Sequence, residues 1–86
     1  MMKLENIEAW GTTTGSDDPL RLDEISLLTT PAMIRTLGVF LINAAYEMES
    51  NDIEHIHLQD QTSNFSHENH VDIIVINRDK VKLRQT

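Results

Sequence analysis

The 86 residues contain no cysteine, which closes off both a disulfide framework and a thiolate metal site. Glycine is confined to positions 11, 15 and 38, too scattered for a phosphate-cradling loop. There is no GxSxG elbow and no HExxH motif. Aromatic residues make up 5% of the chain, and Trp10 reads as a core or rim anchor whose indole N–H needs a partner near an edge, not as a cofactor platform. Positive charge is equally scarce. Up to Asn77 the cations are Lys3, Arg21 and Arg35, and the formal net charge is −7. An acidic body argues against general nucleic-acid binding, which draws most of its affinity from phosphate contacts. It favours encounter with a basic partner, and it also serves plain solubility. Long hydrophobic runs are missing too. Met1 to Trp10 carries acidic residues where a signal peptide would be apolar, and the longest apolar segment is broken by Arg35, Asn43 and Glu47, so it is not a membrane span. The expectation is one small soluble, cytoplasmic domain with a modest core and no membrane or nucleic-acid partner.

What is present is one strongly periodic segment, Thr30 to Met48. Met33, Ile34, Leu37, Phe40, Leu41, Ala44, Ala45 and Met48 recur at three- and four-residue intervals, the spacing of one face of an amphipathic helix. Thr30 before Pro31 is a start signal: the hydroxyl can accept from an orphaned backbone N–H, and proline at the first helical position loses no bond. No glycine marks the far end, where the apolar period stops at Glu49.

Around this helix the sequence predicts short strands. Residues 3–10 (KLENIEAW) read as a first strand ended by Gly11. Residues 12–19 (TTTGSDDP) have turn chemistry. Residues 20–28 (LRLDEISLL) read as a second strand in which Leu20 and Leu22 share one face and Ile25 and Leu27 the other, so a bulge or a shift of phase is needed near Asp23 and Glu24. Beyond the helix, residues 53–59 (IEHIHLQ) form a strand with Ile56 and Leu58 on one face and His55 and His57 on the other. Residues 61–70 are a polar loop with Phe65 as its apolar anchor, and Val71–Ile76 (VDIIVI) is rich in β-branched residues. The tail either continues that strand or turns at Asn77, Arg78 and Asp79 to add one more. The class is α+β: a small antiparallel sheet in the order β-β-α-β-β, with room for one more strand, packed on a single helix.

Four features could carry function. His55 and His57 project the same way from a strand, a usable geometry for two ligands of zinc or copper. His67 and His70 lie in the following loop, and Glu54 or Asp72 could add a carboxylate. The alternative is that these histidines simply face solvent or an interface. The carboxylates Asp17, Asp18, Asp23, Glu24, Asp60, Glu68 and Asp72 show no pairing that would force a catalytic cleft. On the far side of the helix, Val39, Ile42 and Tyr46 form a second apolar stripe, with Arg35 just before them, and that composition suits a protein interface. A wrapping sheet or loop would account for it as well. Last, Arg78, Lys80, Lys82 and Arg84 alternate with other residues, a pattern that suits lysine protection of an edge strand better than phosphate binding.

The helix ending in AAYEM, followed by EHIHLQD at Glu54–Asp60, a polar loop and VDIIVI, resembles a family of small immunity-like proteins of bacterial polymorphic toxin systems. The likeness covers residues 30–77, with His57 and Leu58 as its sharpest points; the front hairpin and basic tail have no counterpart in it. The resemblance implies an α+β domain that neutralises a cognate toxin without catalysis, and the acidic surface would suit a basic toxin such as a nuclease. The expected function is therefore a non-enzymatic immunity or inhibitor protein, without a cofactor, binding through Arg35, Val39, Ile42 and Tyr46. Two other readings stand beside it. One is a small metal- or ligand-binding domain using His55, His57, His67 and His70. The other is a homodimeric structural module joined through the same helix stripe or an open sheet edge.

Overall fold

A computed structural model describes residues 1–81. Its element order is β1 (Ala9–Gly11), β2 (Leu20–Leu22), α1 (Pro31–Asn51), β3 (His55–His57), a single 3-10 turn (Leu58–Gln61) and β4 (Ile74–Ile76). The class is α+β with small antiparallel sheets, in the expected order of elements.

The helix starts as its sequence dictates. Thr30 has extended backbone angles, Pro31 follows, and the Thr30 hydroxyl accepts from the Met33 N–H at 3.2 Å. It runs three residues past Met48 and stops at Asp52, which takes the left-handed conformation with φ 61°. Aspartate is among the few non-glycine residues that adopt this geometry readily, so the helix ends without a glycine.

The expected single sheet is instead two separate two-stranded ribbons. β1 pairs with β2 in the register Ala9–Leu22, Trp10–Arg21, Gly11–Leu20, and Gly15 supplies a positive φ of 83° in the connecting turn. β3 pairs with β4 through His55–Ile76, Ile56–Val75 and His57–Ile74. That ladder extends outward by Leu58 N–H to the Ile73 carbonyl and by Asn77 N–H to the Glu54 carbonyl, each at 2.8 Å. Strands are shorter than expected throughout. Residues 3–8 and 23–29 have no regular structure; the next pair in the β1–β2 register would set Glu8 against Asp23, and like charges directly opposite each other disfavour pairing. The phase change near Asp23 is thus the end of β2, not a bulge.

One face of the β3–β4 ribbon packs on α1. Leu37 and Phe40 of the helix meet Leu58, with Met33, Ile56, Ile73 and Val75 around them. Ala44 is buried as well. The core is narrower than the predicted stripe: Ile34, Leu41 and Ala45 are exposed. A two-stranded ribbon is only about 5 Å between strand axes, wide enough to shield one row of helix side chains and no more. Hairpin β1–β2 is tied to the rest of the chain by the Arg78 guanidinium, which donates to Glu8 Oε2 at 2.8 Å.

The surface is correspondingly large. The chain exposes 8178 Å², whereas a compact monomer of its 9.9 kDa exposes about 5,200 Å². Its radius of gyration is 14.1 Å, against about 12 Å for a compact domain of this length.

Candidate functional site

The four histidines do not assemble. His55 and His57 sit on the outer face of β3, ring centroids 5.4 Å apart and edge to face. His67 and His70 instead flank Phe65 in the loop, at 4.9 and 5.7 Å, and the His70 ring nitrogen accepts from the Ser66 N–H at 3.0 Å. Among the described residues no three histidine, aspartate or glutamate side chains come together as a metal site requires.

His57 has a different occupation. Its Nδ1 lies 2.8 Å from Asp72 Oδ2, while Asp72 Oδ1 accepts from the Gln59 N–H at 2.9 Å. The pair is half-buried. One carboxylate thus holds the first turn after β3 and orients the His57 ring, joining the two strands outside their ladder. Sequence spacing placed Asp72 only as a spare carboxylate. The signal available was a lone carboxylate within the β-branched run, two residues before β4 begins.

A second anchoring group went unrecognised in the sequence. The Asn77 side-chain amide donates to the Ile53 carbonyl, and its oxygen accepts from the Asp79 N–H. The Lys80 ammonium bonds to Asp52. Arg78 and Lys80 therefore sit in a turn after β4, each paired with a carboxylate, and are not guards along an edge strand. Lys82 and Arg84, and any extra strand they would form, lie outside the described residues.

Glu8 is the acidic end of the Arg78 pair. The Arg78 guanidinium, helped by the Trp10 indole N–H at 3.3 Å, holds its carboxyl below the ordinary value of 4.5. Trp10 is exposed on the rim of its ribbon, with Glu8 as the partner its indole needs.

The candidate interface residues all lie at the surface. Arg35 is exposed, as are Val39 at 57%, Ile42 at 71% and Tyr46 at 62%. Neither a loop nor the ribbon folds over them. Val39 and Tyr46 border shallow grooves between α1 and β3, floored and edged by Asn43, Glu47, Ile56 and Gln61. Apolar floor, polar edge and an aromatic rim are what a protein segment needs in order to seat. Among the described residues no helix is long and apolar enough to cross a membrane. No protein-family model, curated protein or solved structure matches the chain.

Proposed function

We propose that this chain is a non-enzymatic protein-binding module of the immunity or inhibitor type, acting in the cytoplasm on a basic protein partner such as a toxin. The observation that carries the reading is the uncovered Val39–Ile42–Tyr46 stripe beside the α1–β3 groove. Exposed apolar side chains in a row, with an arginine alongside, are the kind of surface that a partner covers. The net charge of −7 would steer a basic partner toward that surface and make the encounter salt-dependent. The non-enzymatic part rests on position: neither His57 nor Asp72 lines the α1–β3 grooves, and the reading assigns them no catalytic step.

The test is capture of partners by the tagged chain from its source cells at low and at high salt, alongside a Tyr46→Asp variant. The expected result is a stoichiometric basic protein, weakened by salt and lost with Tyr46→Asp. Capture unaffected by the substitution, or no partner at any salt, would remove the reading.

A further inference from the structure

The helix carries a second uncovered face, next to the first, and its pattern is different. Ile34, Gly38, Leu41, Ala45 and Met48 are spaced four, three, four and three residues apart, the heptad spacing that keeps one seam facing a partner helix. Ile34 and Leu41 are about half exposed, Ala45 is exposed, and Gly38 and Met48 are partly buried. Gly38 lies in mid-helix, where glycine is poorly suited, and a Cβ built on it would meet nothing within 4 Å. Nothing inside this chain requires a glycine there. A second backbone approaching closely does, and Ala45 one heptad further on leaves the same clearance.

We infer that this seam pairs with the same seam of a second copy of the chain, the two helices running antiparallel. The exposed area leaves room for such an occupant. The chain exposes 8178 Å², about 3,000 Å² more than a compact monomer of its mass. A standard interface takes about 800 Å² from each partner and an obligate one about 1,000–2,500 Å², so the excess exceeds what a dimer removes, and part of it lies off the helix, at Met1, Met2, Leu4, Ile7 and Leu28. The charges along the seam's edge set the direction. Arg35, Ile42 and Glu49 follow one another at seven-residue spacing, and among the described residues neither Arg35 nor Glu49 makes an ion pair. Antiparallel pairing centred near Ile42 sets Arg35 against the partner's Glu49 twice and Ile42 against its own copy. Parallel pairing would bring like charges level with each other. The opposite edge of the seam, Leu37 and Ala44, is already buried in the core, which makes the dimer contact continuous with the interior.

This seam adjoins the Val39–Tyr46 side and shares Arg35 and Ile42 with it along their common edge, so Leu41 and Gly38 on one side and Tyr46 on the other are the positions that tell the two apart. Sedimentation equilibrium of the full chain should return twice the 9.9 kDa monomer mass. Leu41→Asp and Gly38→Leu should each weaken the dimer about 30-fold or more, as loss of a central contact does, while Tyr46→Asp leaves it intact. Arg35→Glu should weaken it, and Arg35→Glu with Glu49→Arg should restore it. Because the chain has no thiol, Ile42→Cys adds a unique one that a short bis-maleimide should join copy to copy, whereas Ile76→Cys on the outer face of β4 should not be joined. The cross-link decides the matter should Leu41→Asp unfold the chain instead of dissociating it. A monomer at 100 µM, a dimer indifferent to Leu41→Asp, or cross-linking at Ile76→Cys but not at Ile42→Cys would overturn the proposal. Failure of the charge exchange to restore association would overturn the antiparallel arrangement.

Discussion

Replacing Asp72 by alanine removes both bonds that one carboxylate makes across the β3–β4 ribbon. The Gln59 N–H loses a charged acceptor at 2.9 Å, and a hydrogen bond to a charged group contributes about 1.5–3 kcal/mol. The His57 contact is about a third open to solvent on the histidine side, so its share is discounted to about 0.5 kcal/mol. The expected cost is about 2–3.5 kcal/mol, and in a domain this small each kcal/mol lowers Tm by about 4–8 °C. Asp72→Asn keeps a carbonyl oxygen for Gln59 while losing the charge, so it should cost about half as much. Urea unfolding followed by far-UV circular dichroism measures both, because the signal comes chiefly from α1. Trp10 fluorescence is the wrong probe, since that side chain sits on the other ribbon. Hydrogen exchange at the Gln59 amide supplies the local readout and should quicken in both variants, more so in the alanine one. A cost below about 0.5 kcal/mol for Asp72→Ala, or an asparagine variant as damaged as the alanine one, would refute the assignment of Asp72 as the ribbon's anchor.

Thr30→Ala should lower stability by about 1 kcal/mol through loss of the helix cap, seen as a reduced urea midpoint with unchanged slope. Glu8 has its carboxyl value lowered by Arg78, so its stabilising contribution is present above pH 4.5 and disappears as pH falls through the folded-state value. Trp10 fluorescence should therefore change on acidification below about pH 4.5, and Glu8→Gln should abolish that change. In a Leu41→Asp background, Gly38→Ala should raise stability by about 1 kcal/mol, because the added methyl meets nothing within 4 Å and alanine is the better helix former. Zinc titrated calorimetrically should show no site tighter than about 100 µM, since His55 and His57 meet no third donor among the described residues. A tight equimolar site would return the histidines to consideration.

The start of the helix could be read to the residue because its signals are local, a threonine–proline start and a sustained apolar period, whereas its end lies three residues beyond the last apolar position. The order of strands around it was legible for the same reason. The split into two ribbons was not, since pairing depends on partners distant in sequence, and three-residue strands carry too little alternation to specify them. Periodicity also overstated the core. It groups Ile34 and Leu41 with Leu37 and Phe40, and only the width of the covering ribbon separates them. His55 and His57 were placed correctly on one face opposite Ile56, but the loop histidines went to Phe65 instead of joining them. The Arg35, Val39, Ile42 and Tyr46 stripe lies at the surface, where the sequence left interface and core as alternatives.

The bonds around Asn77 also set an order of events in folding. The helix closes through contacts four residues apart and can form within about a microsecond. The β3–β4 ribbon must wait for a loop of some fifteen residues to close, and the Asn77–Ile53 bond spans 24. Contacts of greater separation carry a larger closure entropy and form later. Asn77 and Lys80 therefore act as a latch that engages after the helix and ribbon exist. Substitutions there should leave the folding rate nearly untouched and be felt almost entirely as faster unfolding.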